Sequence, residues 1–197
     1  MAVLTVLRFP DPALKRRALP VTAFDAALKK LSGEMLETMY LEGGIGLAAV
    51  QVGELRRLVV MDLMNGEEVD GKPAPHQPRF FVNPEILQAE GEIITEEGCL
   101  SVVDFRAEVK RAARVECAYQ SLTGESRREW LDGMAAVCIQ HEIDHLNGKL
   151  FIDHLPLLKR DMVKKRLAKI RRAEGAAFRD EVRVSKRGPG SRQARAL

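Results

Sequence analysis

Gln140-His141-Glu142-Ile143-Asp144-His145 is the stretch on which the reading of this chain turns. On an α-helix, histidines four positions apart stand about 40° apart around the axis and one turn apart along it. Two imidazoles on one stripe can chelate a single metal ion. Glu142, beside the first of them, can reach a water at that ion without ligating it, which suits a general acid and base. The helix is well marked: Asp132 is placed to cap it and Asn147-Gly148 supplies a left-handed stop, predicting a helix over 133–146. The plainer alternative is a core helix with incidental histidines. With only four histidines in 197 residues, chance seldom produces the pattern.

Outward from that helix, the patterning alternates between short strands and helices. Residues 1–20 carry Pro10, Pro12 and Pro20 and read as an extended arm. Thr22 with Asp25 resembles a capped helix start. Ala27, Leu28, Leu31, Met35, Leu36 and Met39 then keep helical spacing to about Leu41, before Gly43, Gly44 and Gly46. Strands are expected over 58–62, 80–83, 91–94, 107–109 and 114–119, with a polar surface loop over 65–79. A last helix should run from Pro156 to Arg172, its stripe marked by Leu158, Met162, Val163, Leu167 and Ile170. The expected class is α+β: antiparallel sheets around a central metal-binding HExxH helix, with a C-terminal helix. Residues 1–172 would form the catalytic domain and 173–197 a basic, flexible tail.

Composition narrows the function. Hydrophobic residues at 46% suit a globular core, whereas 5% aromatics offer no stacking platform for single-stranded nucleic acid. No run approaches a membrane span, and the N-terminus lacks a signal peptide's basic region, so a cytoplasmic enzyme is expected, with neither membrane nor DNA among its partners. Three cysteines, Cys99, Cys117 and Cys138, do not make a disulfide framework. Charge is divided unevenly. Residues 1–158 hold 17 Lys and Arg against 24 Asp and Glu, while residues 159–197 hold 14 against 4.

A catalytic ion takes three protein ligands and keeps a position open. His154 lies nine residues past His145, a poor spacing, and reads as a surface or helix-end residue; His76 sits in the polar loop and reads as solvated. Cys99, in Glu97-Gly98-Cys99-Leu100-Ser101, is the better candidate, although a lone Cys beside a Gly is more often structural.

Context comes from a third segment, Gly44-Ile45-Gly46-Leu47-Ala48-Ala49-Val50-Gln51. With 97–101 and 140–146 it resembles the peptide deformylase family, in the family's order and at similar separations. Pro10-Asp11-Pro12 and Asn83-Pro84 also fit, so the likeness covers roughly residues 3–172. The resemblance implies removal of the formyl group from the N-terminal formyl-methionine of newly made polypeptides. It implies Cys99, His141 and His145 as metal ligands, and Glu142 as the catalytic acid/base taking a proton as metal-bound hydroxide attacks the formyl carbon. The Gln51 amide and the Leu100 backbone N–H would flank the formyl oxygen. The implied ion is Fe2+, with Zn2+, Ni2+ or Co2+ also accepted, although the donor set alone suggests zinc.

A methionine side chain needs an apolar slot, and the helix face carrying Met134, Val137 and Cys138 leads to His141. By the same resemblance Ile45, Gly46 and Glu97 join the substrate site, and Arg106 would contact the substrate backbone. One departure stands out: Val103 replaces the family's usual proline after the Cys motif, which bears on the rigidity of that loop. Two rival readings remain, an HExxH zinc peptidase that ignores Cys99 and a non-enzymatic module binding N-termini or ribosomes. Separately, the basic C-terminal segment could dock on ribosomal RNA, against the plainer reading of a solvated face and tail.

Overall fold

The computed structural model describes residues 3–186. Its α1 (Ala26–Leu41) and α2 (Gly133–Leu146) pack on opposite faces of a five-stranded antiparallel sheet. The strands are β1 (Gly46–Ala48), β2 (Leu58–Met61), β5 (Arg79–Glu90), β8 (Arg114–Gln120) and β9 (Ser126–Asp132), in the spatial order β1-β2-β5-β8-β9. A small hairpin, β3 (Glu68–Val69) with β4 (Lys72–Pro73), projects from the β2–β5 connection. A separate antiparallel pair, β6 (Ile93–Cys99) with β7 (Val102–Arg111), stands beside α2, and α3 (Leu157–Lys186) closes the order. The fold is α+β, as expected.

Strand β2 shows why the sheet sits between the helices. All four of its residues are buried, and alternation sends Leu58 and Val60 toward α1 and Val59 and Met61 toward α2. The α1 side collects Leu28, Leu31, Met35 and Met39; the α2 side collects Phe81, Ile139, Ile143 and Leu146. A third core joins β7 to α3 through Val109, Phe151, Val163 and Leu167.

Several boundaries differ from the sequence reading. Asp25, rather than Thr22, caps α1, its carboxylate accepting from the Leu28 N–H at 2.9 Å. Asp132 occupies the position before α2 but makes no capping bond; Arg114 holds it at 3.1 Å instead. Gly148, at φ 74°, does supply the left-handed stop. Helix α3 continues past Arg172 to Lys186, across the expected start of the tail, and residues 187–197 of that tail lie outside the described residues. The N-terminal arm crosses the molecule behind the site: Leu7 N–H donates to the Gln51 carbonyl at 2.7 Å, Phe9 N–H to Ser101 at 2.8 Å and Ala18 N–H to Leu146 at 2.8 Å.

Candidate active site

Helix α2 carries His141, Glu142 and His145 inward, all three buried. Strand β6 ends at Cys99, and its antiparallel pairing with β7 holds that end against the helix. The Cys99 Sγ lies 3.2 Å from His145 Nε2, which lies 3.3 Å from His141 Nε2. One ligand atom from each of the three falls within 4.8 Å of the others. Two imidazole nitrogens and a sulfur thus converge on one point although their residues are up to 46 positions apart.

Charge buried behind this point fixes the first ring. His141 Nδ1 is 2.8 Å from Glu97 Oε2, and that bond turns Nε2 toward Cys99. Arg111 grips both oxygens of Glu97, Nε at 2.7 Å and Nη2 at 3.0 Å, and reaches Asp144 Oδ2 through Nη1 at 2.5 Å. His154 Nε2 meets the same Asp144 oxygen at 2.7 Å. Burial opposes ionisation of Glu97, but His141 and Arg111 outweigh it and bring its pKa down to about 2. Asp144 is likewise held at about 2, against burial, by His154 and Arg111. Glu142 behaves oppositely. Burial raises its pKa to about 7, and among the described residues its Oε2 has no hydrogen-bond partner. A Cβ on Gly46 would lie 2.6 Å from Glu142 Oε1 and 2.8 Å from Cys138 Sγ, so only glycine allows this carboxylate its place.

Gln51 stands on the short 3-10 turn after β1. Its Oε1 accepts the Ala48 N–H at 2.8 Å, which points Nε2 toward Ser101 Oγ at 3.2 Å and Cys99 Sγ at 3.7 Å. The amide therefore presents its donor end to the site. A cleft of about 950 Å³ opens over these groups. Its walls include Ile45, Gly46, Gln51, Glu97, Cys99, Leu100, Arg106, Met134, Val137, Cys138, His141 and Glu142; His145 lies behind them. Every expected substrate residue thus faces one cavity. Glu97 does so with both carboxylate oxygens engaged by His141 and Arg111. Arg106 packs its guanidinium over Gly98, about 3.5 Å from where a Cβ would stand. Without the proline at 103, the turn is anchored by the buried Ser101 and Val102 and by the Phe9 bond to Ser101.

Sequence reasoning missed Ser101, Arg111 and Asp144, and placed His154 and His76 correctly at the surface without foreseeing their partners. His154 ends a 3-10 turn, as expected, and is also a partner of Asp144. His76 is solvent-exposed, as expected, and also stacks on Tyr40 with ring centroids 4.2 Å apart and approaches Asp62. A signal for Arg111 existed: Ala107, Val109 and Arg111 alternate along β7 on its buried face, and an arginine there requires carboxylates.

Three soft and borderline donors around one point, a buried carboxylate beside them with one unpartnered oxygen and an open cleft above have the make-up of a metal-dependent hydrolase. The family model for polypeptide deformylase matches residues 3–161. The chain is 48% identical over 178 residues to the peptide deformylase of Rhizorhabdus wittichii, covering 90% of this chain and 100% of that one. The Legionella pneumophila peptide deformylase structure superposes with a TM-score of 0.78 at 40% identity, covering 88% of this chain and 98% of that chain. A class I type b peptide deformylase from Acinetobacter baumannii, solved with Met-Ala-Ser bound, aligns with a TM-score of 0.71 at 37% identity over 78% of this chain and 99% of its own. This chain belongs to the peptide deformylase family, metal-dependent enzymes that remove the formyl group from the N-terminal formyl-methionine of new polypeptides. No helix among the described residues is long and apolar enough to cross a membrane.

Proposed function

We propose that Cys99, His141 and His145 hold the catalytic ion, that Glu142 is the general acid and base, and that Gln51 and the Leu100 N–H receive the formyl oxygen. The observation that carries this reading is the convergence of the three donors within 4.8 Å, beside a buried Glu142 with an unpartnered oxygen. The donor set fits such an ion, with Glu97 orienting His141 so that Nε2 is free to ligate. A divalent ion bound there supplies Lewis acidity, acidifying a water and polarising the formyl group. Family resemblance favours Fe2+, while Zn2+, Ni2+ and Co2+ suit the same ligands.

This chain's own groups do the rest. Glu142 accepts the proton of the attacking water and delivers it to the departing amine, so formate and a free N-terminus leave together. Gln51 Nε2, held donor-first by Ala48, stabilises charge growing on the formyl oxygen, a donor worth about 3 kcal/mol in comparable sites. Ile45, Gly46, Val137 and Cys138 line an apolar slot for the methionine side chain, with Met134 at its exposed edge and Arg106 set for the peptide backbone. The Met-Ala-Ser bound in the Acinetobacter relative is the kind of peptide this cleft would take.

Residues 1–172 would constitute the catalytic unit and 173–197 a basic tail. The excess of basic residues after 158 suits phosphate contacts with ribosomal RNA where the substrates emerge in the cytoplasm. Truncation after Ile170 should then abolish co-sedimentation with ribosomes at low salt; unchanged co-sedimentation refutes docking. For the site itself, Cys99→Ala, purified without oxygen, should lose both metal and formate release from formyl-Met-Ala-Ser. Retention of both would point to a peptidase-type site that does without Cys99.

A further inference from the structure

The buried carboxylate of Asp62 takes no part in the chemistry above, yet four contacts meet on it. Its side chain is fully buried at the end of β2. It accepts from the Tyr40 hydroxyl at 2.6 Å, the Met64 N–H at 2.9 Å and the Gln77 N–H at 2.9 Å, and His76 lies 3.3 Å away. Asp62 therefore ties α1 to both ends of the 63–78 loop. That loop, in turn, grips the cleft wall. Asn65 Nδ2 donates to the Gly44 carbonyl at 2.7 Å, and the Asp62 N–H donates to the Ile45 carbonyl at 2.9 Å. Gly44 and Ile45 line the cleft, whereas no residue of 63–78 does.

We infer that Asn65 is a positioning residue for substrate: with Asp62 it clamps the Gly44–Ile45 wall and so sets the width of the methionine slot. The inference rests on the deformylase reading of that cleft. Gly44 has little room to shift toward Leu100, because a Cβ there would already lie 2.8 Å from Leu100 Cδ1. Release of its carbonyl frees the wall without touching the metal ligands or Glu142. The clamp therefore acts on binding and leaves the chemical step alone.

The test compares Asn65→Ala with Asn65→Asp, which keeps the side chain's shape but removes its donor. Both proteins are loaded with the same metal, checked for metal content and assayed with formyl-Met-Ala-Ser. KM should rise about three- to tenfold in both, the scale of one hydrogen bond, with kcat within about twofold and metal content unchanged. A partly unfolded variant would instead lose apparent kcat at constant KM. A KM within twofold of the wild type in both variants, or a loss confined to kcat, overturns the clamp. Wild-type turnover in the same assay reports separately on the deformylase reading.

Discussion

The two sides of the active site are built on different principles. Behind the proposed ligands, Glu97, Arg111, Asp144 and His154 form a continuous hydrogen-bonded chain of charged and polar groups, much of it buried. Across the cleft, Gly44, Ile45, Gly46 and Leu100 present backbone and apolar surface, held by hydrogen bonds from a surface loop. The first side orients reacting groups, and such networks are costly to disturb because every member depends on a partner. The second selects and seats a side chain, where small displacements change binding by modest factors. Perturbations on the ligand side should therefore reach metal, rate and stability together, and those on the wall side should reach KM.

The largest effect expected from this contrast is at Arg111. Arg111→Ala removes the guanidinium that Glu97 and Asp144 share and leaves each carboxylate with only a histidine partner, which should cost about 3–5 kcal/mol of unfolding free energy in urea and speed metal loss to a chelator. A loss below about 1 kcal/mol would mean that the charges are solvated and the two sides are less different than described. Next comes Gln51→Ala, expected to lower kcat about 100-fold with metal retained, since it removes one donor from the formyl oxygen. A change confined to KM would move Gln51 to the wall side of the comparison.

The smallest effect lies away from both sides, at Asp153, which joins the N-terminal arm to α3 through Lys15 at 2.5 Å and Lys164 at 2.8 Å. Burial opposes its charge, but the bonds from Lys15 and Lys164 hold its pKa well below the usual carboxylate range. A depressed folded-state pKa gives stability that is complete above the unfolded value of about 3.9 and is lost as pH falls below it. Because the lysines are partly exposed, the contribution should stay under about 1 kcal/mol. Asp153→Asn should remove that share of the acid sensitivity, with a clearly smaller loss of stability at pH 2 than at pH 7. An equal loss at pH 2 and pH 7 would assign the effect to packing.

What was legible in the sequence follows the same division. The HExxH helix was readable to its ends, because helical spacing and the Asn147-Gly148 stop are local signals. Cys99 and Gln51, which the structure brings to one cleft, were singled out only through their motifs, since nothing local tells a ligating cysteine from a structural one. Strands β1 and β9 were not seen: one is three residues long, and the other reads Ser-Arg-Arg-Glu-Trp-Leu-Asp, too polar to signal a strand. Arg111, Asp144 and His154 were missed because a charged side chain is taken as solvated until its partner is known. Here the partners lie 14 to 43 positions from Arg111. The Asn65 clamp was hidden for the same reason, in a loop whose polarity suggested only solvent.

The most direct measurement is formate release from formyl-Met-Ala-Ser by metal-loaded wild type and Glu142→Ala, with bound metal quantified in both. If Glu142 is the acid and base beside a Cys99-His141-His145 site, the variant should keep its metal and lose about 1,000-fold or more in kcat. Turnover within about tenfold of the wild type at equal metal content would contradict the central assignment.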